Sequence, residues 1–204
     1  MVKYTFIHPT KSGGTSIEEY FSEHYSDYII GGGHVNICNN NNNPIIVIRD
    51  VKSRFFSMYK YWKYGALDTK YKRTEKWKKH YANASILYFI NILKKNSANL
   101  YCEFLWGQHY YNSTKWIKEN TDYKNIIIIK YESNLNEKIQ QLINLLGIPN
   151  KIIPLPIKNI SVNVDNEEEL NNDYVNNFIS EYFKDDIILI NKIETNPELF
   201  KFVI

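Results

Sequence analysis

Cysteine is nearly absent. Cys38 and Cys102 alone, in 204 residues, cannot build a disulfide framework. One bridge is the most they could form, and two unpaired thiols are the expectation. Long apolar runs are missing too, and the mean hydropathy is −0.44, so no membrane span is expected. Excess charge of one sign is small: 25 basic against 22 acidic residues leave +3, which does not by itself imply a nucleic-acid partner. No internal repeat is evident. The first strand signal begins almost at Met1, so no secretory leader is expected and a cytoplasmic setting is favoured. What remains is a chain that is 44% hydrophobic and 15% aromatic, the composition of a globular protein. Its length suits one domain spanning 1–204 with a substantial core.

The stretch around which the chain is organised is His8-Pro9-Thr10-Lys11-Ser12-Gly13-Gly14-Thr15-Ser16. Before it, residues 2–7 are rich in β-branched and aromatic types and read as a strand. After it, Ile17, Tyr20, Phe21 and His24 recur at helical spacing. A strand running through a Gly turn into a helix aims backbone N–H groups and the positive end of a helix dipole at one spot, an arrangement that suits phosphate. Gly13 and Gly14 allow close backbone approach. Lys11 adds a mobile charge, and Thr15 and Ser16 add hydroxyls where an N-cap would fall. The plainer reading is a tight turn capped by Thr15 with Glu18. Beside a phosphate, Glu18 and Glu19 would have to face away. The loop is not of the Walker A type, in which Lys follows the glycines rather than preceding them.

Further on, Gly31-Gly32-Gly33-His34 leads into the Asn-rich tract 39–43, which reads as a surface loop. Residues 44–48 form a continuous apolar run, the signature of a buried parallel strand, and end in Arg49-Asp50. Ligands of open α/β sheets bind at such strand ends. Residues 53–63 read as a helix, with Phe55, Met58, Tyr59 and Trp62 on one face. The Lys-, Tyr- and Trp-rich stretch 59–81 fits either polyanion binding or a solvated face over ordinary aromatic packing, and the second reading is preferred. Helices are expected at 84–95 and 113–120, and a second buried strand at 126–129. The helix at 134–146 starts at Asn134 and stops at Gly147 and Pro149. Closing helices are expected at 167–182 and 186–193.

Two segments together carry a family resemblance. Lys11-Ser12-Gly13-Gly14-Thr15-Ser16 follows the first strand, and Arg49-Asp50-Val51-Lys52-Ser53-Arg54-Phe55-Phe56-Ser57 follows a later one. The pair resembles the signatures of sulfotransferases that use 3′-phosphoadenosine-5′-phosphosulfate (PAPS). The resemblance implies a three-layer α/β/α fold, P-loop-NTPase-like, with a central mainly parallel sheet. It implies that Lys11, Ser12, Gly13, Gly14, Thr15 and Ser16 hold the 5′-phosphosulfate, and that Arg49 and Ser57 hold the 3′-phosphate. A planar guanidinium fork suits that task. Val51 departs from the family, which usually has Pro there. PAPS is then the co-substrate, and no metal is expected.

The Gly33-His34-Val35 segment is similar to one in glycan sulfotransferases of the heparan 2-O type. That likeness implies His34 as general base, beside Lys11 in catalysis, and a carbohydrate hydroxyl as acceptor, an acidic glycan included. His109, Glu18, Glu19 and Asp27 are the other candidates for the base. His8 is expected to support the loop. Two alternatives stay open: a nucleotide or small-molecule kinase of P-loop type, and a non-catalytic relative that binds nucleotide or polyanion.

Overall fold

A computed structural model describes residues 3–9, 11–33, 43–65, 75–81, 83–95, 123–131, 134–151, 153–156 and 172–204. The chain forms two compact units. The first comprises Met1–Asp50, Asn112–Ile157 and Asp185–Ile204, and the second Val51–Tyr111 and Lys158–Lys184.

The first unit is built on a five-stranded sheet. Its strands are β1 (Tyr4–Ile7), β2 (Ile29–Gly33), β3 (Pro44–Ile48), β4 (Ile127–Lys130) and β5 (Phe202–Val203). Their order is β2-β1-β3-β4-β5, and every pairing is parallel. Side chains alternate between faces along a strand. Phe6, Ile45, Val47, Ile127 and Ile129 therefore share one face. They pack against Ile17, Tyr20 and Phe21 of α1 (Gly14–His24) and Ile139, Leu142 and Ile143 of α5 (Leu135–Leu145). The opposite face presents Ile7, Ile46, Ile48 and Ile128, covered by Leu189 and Ile193 of α7 (Lys184–Thr195) and by Phe200. Helices on both faces of a parallel sheet make the three-layer α/β architecture expected from the sequence. The uninterrupted apolar runs are explained as well, because both faces are dry. Burying one such Ile is worth about 1.5–3 kcal/mol.

The second unit is helical among its described residues: α2 (Val51–Tyr64), α3 (Glu75–Tyr81), α4 (Ile86–Lys95) and α6 (Asp173–Tyr182). Phe55 lies at its aromatic core, with ring centroids 5.9 Å from Phe89, 5.8 Å from Phe178 and 6.3 Å from Phe183. Tyr59 and Trp62 are buried in the same unit, and Trp62 contacts Tyr81 and Phe89. These two aromatics are core, in keeping with the preferred reading of 59–81.

Boundaries move by a few residues. Helix α2 starts at Val51, two residues earlier than its apolar spacing suggests. Val51 is thus the first helical residue, the position where Pro is pre-organised and its missing N–H is harmless. Val at this position therefore bears on turn rigidity more than on any phosphate contact. Two short strands carry no clear sequence signal, β2 and β5. The expected helix at 113–120, the tract 39–42 and both cysteines lie outside the described residues.

Candidate functional site

In the sheet β1 lies between β2 and β3, and the chain goes from β1 out to β2 and then crosses back to β3, so the strand order reverses between β1 and β3. That switch point is where open α/β sheets bind ligands, beyond the strands' C-terminal ends. Here the end of β1 carries the loop and the end of β3 carries Arg49.

The loop's conformation is set by local residues. Lys11 and Gly13 both have left-handed backbones, φ 61 and φ 79. Gly13 is the N-cap of α1, and no side chain caps that helix. The expectation that Thr15 caps the helix, paired with Glu18, is therefore corrected. The left-handed turn at Gly13 starts the helix at Gly14, which leaves Thr15 inside the first turn and exposed. Ser12 is fully buried and its hydroxyl donates to the Pro9 carbonyl, so that hydroxyl shapes the loop. Ser16 is buried on the inner side of the first turn.

Gly13 and Gly14 are glycines for separate steric reasons. A Cβ on Gly13 would run into the Tyr131 ring, and one on Gly14 into the His8 imidazole. His8 is 2% exposed and stacks on Phe6 with centroids 5.5 Å apart. It supports the loop from beneath, as expected. Its Nε2 lies 3.2 Å from Glu18 Oε2, while Glu18 Oε1 accepts the Gly33 N–H at 3.0 Å. Glu18 thus turns its charge to these two partners.

Arg49 reaches the same loop. Its Nη1 donates to the Lys11 carbonyl at 3.2 Å, and its guanidinium carbon sits 4.8 Å from the centroid of the Tyr131 ring. Tyr131 directly follows β4, and its N–H donates to the Ile48 carbonyl at 2.7 Å. Burial pulls Arg49 below the usual arginine value, while Tyr131 and neighbouring Asp50 act to raise it. Arginine stays charged throughout the physiological range. Lys11, Arg49, Gly13 and Tyr131 therefore form one cluster at the strand ends.

Ser57 lies in the second unit, half-buried on α2 beside the buried face of Val51, Arg54, Phe55 and Met58. Arg54, the motif's other arginine, is 1% exposed, with its guanidinium 5.6 Å from the Phe183 ring. It also draws down Tyr182, whose pKa burial otherwise raises. Candidates His34 and His109 lie outside the described residues. Sequence reasoning missed the bridging role of Glu18 and the Tyr131 ring under Arg49. The run of three glycines at 31–33 was the available signal for the first. The second pairs residues far apart in sequence.

A family model described as "Sulfotransferase domain" matches residues 21–187, most of the chain. The chain belongs to the sulfotransferase domain family. Enzymes of this family transfer a sulfuryl group to a hydroxyl-bearing acceptor, and PAPS is their general donor. The matched span contains Arg49 and Ser57, whereas the loop Lys11–Ser16 precedes it. It gives the kinase alternative no support. A search of curated proteins matches none. Among the described residues, no three His, Cys, Asp or Glu side chains gather as a metal site, and no helix is long and apolar enough to cross a membrane.

Proposed function

We propose that this sulfotransferase moves the sulfuryl group of PAPS to a carbohydrate hydroxyl, with 1–204 acting as one sulfotransferase domain. The observation that carries the reading is the turn at Gly13-Gly14. An uncapped helix N-terminus opens at the switch point of a parallel sheet, with Lys11 in the turn and Arg49 bonded to it. Such a terminus offers amide donors and a positive dipole end to an anion. Lys11, Ser12, Gly13, Gly14, Thr15 and Ser16 take the 5′-phosphosulfate. Arg49 and Ser57 take the 3′-phosphate, an assignment resting on the motif.

In the reaction the acceptor oxygen attacks sulfur and a new O–S bond forms. The bond from sulfur to the 5′-phosphate oxygen breaks, and adenosine 3′,5′-bisphosphate leaves. The acceptor proton goes to His34. Lys11 and the loop amides stabilise the charge that builds on the leaving phosphate, the kind of pre-aimed electrostatic help that dominates many enzymes' rate gains. The likeness of Gly33-His34-Val35 to glycan sulfotransferases supports the carbohydrate acceptor. Transfer of labelled sulfuryl from PAPS to a glycan panel, with phenols alongside, tests the reading. Glycan labelling is expected, and labelling of phenols alone would refute the acceptor class. His34→Ala should lose transfer by at least about 100-fold while still binding adenosine 3′,5′-bisphosphate. Near-wild-type transfer would remove His34 as the base.

A further inference from the structure

Glu18 is one turn into α1, and each of its carboxylate oxygens has a different partner. Oε2 meets His8 Nε2 at 3.2 Å, and Oε1 accepts the Gly33 N–H at 3.0 Å. His8 is the wall against which Gly14 closes. Gly33 ends β2, with a left-handed φ of 59. The β1–β2 register slips between Phe6 and Ile7, so that Ile7 pairs with Gly33 and Gly32 is passed over. A backbone bond, His8 N–H to Gly33 carbonyl at 3.2 Å, runs alongside the side-chain bridge. Gly31 makes room for the side-chain bridge. A Cβ on Gly31 would sit against Glu18 Oε1 and 3.0 Å from its Cγ, and one on Gly32 would press on Thr5 and Ile7. Gly31 therefore makes room for a carboxylate from the neighbouring helix, and Gly32 for the side chains of β1.

We infer that Glu18 is a positioning residue for the sulfuryl transfer. It locks the anion-binding loop, through His8 and Gly14, to the end of β2. His34 follows Gly33 directly in the chain. One side chain thus fixes the end of β2 relative to the loop. The inference rests on the function proposed above, and it differs from the reading in which Glu18 is itself the base. Both oxygens are already engaged, one by the His8 ring nitrogen and one by the Gly33 N–H.

Hydrogen exchange at the Gly33 amide tests it, in wild type, Glu18→Ala and Glu18→Gln, with and without adenosine 3′,5′-bisphosphate. Removing a charged acceptor should speed exchange at Gly33 by roughly tenfold or more in Glu18→Ala. Glu18→Gln keeps an acceptor oxygen and should stay within about threefold of wild type. The bisphosphate should slow Gly33 exchange in wild type and Glu18→Gln, and not in Glu18→Ala. Transfer activity should follow the same order, whereas a base at Glu18 predicts that Gln and Ala fail alike.

Gly31→Ala is the second variant, should Glu18→Ala not fold. It pushes Glu18 aside and should reproduce the faster exchange. In a Glu18→Ala background it should add nothing. Equal Gly33 exchange in wild type and Glu18→Ala would overturn the inference, as would Gln failing as badly as Ala. Absence of any bisphosphate-induced stabilisation of wild type would instead refute the proposed function. The positioning role would fall with it, while the ligand-free exchange would still report whether the bridge holds Gly33.

Discussion

Gly13→Ala should damage this protein far more than Gly147→Ala, although both glycines have left-handed backbones, φ 79 and φ 65. An L-residue in that region costs about 1–2 kcal/mol. At Gly147 no atom lies within 4 Å of an added Cβ, so that cost is the whole effect. At Gly13 the added carbon would lie 2.6 Å from Tyr131 Cδ2 and 3.2 Å from Cζ. The ring can give way only by disturbing Arg49, whose guanidinium carbon sits 4.8 Å from its centroid. Overpacking of this kind adds about 1–3 kcal/mol, so Gly13→Ala should lose roughly 2–5 kcal/mol in all. Urea unfolding of the two variants gives the comparison. Tyr131→Ala in the Gly13→Ala background should recover at least about 1 kcal/mol of the deficit, as expected for residues in contact. Gly13→Ala should also weaken bisphosphate binding, since the ring takes Arg49 with it, while Gly147→Ala leaves it intact. Equal losses for the two glycines, or no recovery with Tyr131→Ala, would refute the steric account of the loop.

Three further outcomes follow from other parts of the molecule. Arg54→Ala should destabilise by about 2–5 kcal/mol in chemical denaturation, because it empties a fully buried volume beneath Phe183; a loss under 1 kcal/mol would show Arg54 to be dispensable for packing. Tyr20 is pushed up to about 12, chiefly by burial and then by the Tyr25 hydroxyl, with Gln140 opposing. Its folded value exceeds the ordinary value near 10, so the unfolded chain ionises first. The stabilisation is complete below about pH 10 and is lost as pH rises towards 12. Tyr20→Phe should flatten the fall of stability between pH 10 and 12, read from urea midpoints, and an unchanged slope would contradict the assignment. Tyr25→Phe should release the segment after α5, because that hydroxyl bonds both the carbonyl and the N–H of Lys151; exchange at the Lys151 amide should rise about tenfold.

The sheet was legible where burial on both faces demands an unbroken apolar run, as in Ile45-Ile46-Val47-Ile48 and Ile126-Ile127-Ile128-Ile129. Strand β2 was not, because only Ile29 and Ile30 carry apolar bulk and three glycines follow. Gly31 answers to Glu18 and Gly32 to Thr5 and Ile7, residues on other elements, and no local pattern encodes that. The two-residue strand β5 is too short for any periodicity. At the site, the loop and Arg49 were visible as motifs at strand ends, since charge and glycine interrupt otherwise apolar segments there. The helix start was misread. Thr15 has the chemistry of a cap, but the left-handed turn at Gly13 begins the helix before it. The Arg49 bond to Lys11 and the Tyr131 ring against Gly13 link distant parts of the sequence, and only the fold brings them together.

Thermal-shift titration with adenosine 3′,5′-bisphosphate, against AMP and Mg-ATP, tests the central claim most directly. A ligand that binds only the folded state adds about 2.7 kcal/mol at 100 times its Kd. The account predicts a clear, concentration-dependent rise with the bisphosphate, abolished by Arg49→Ala, and little or none with AMP. A shift with Mg-ATP and none with the bisphosphate would contradict it.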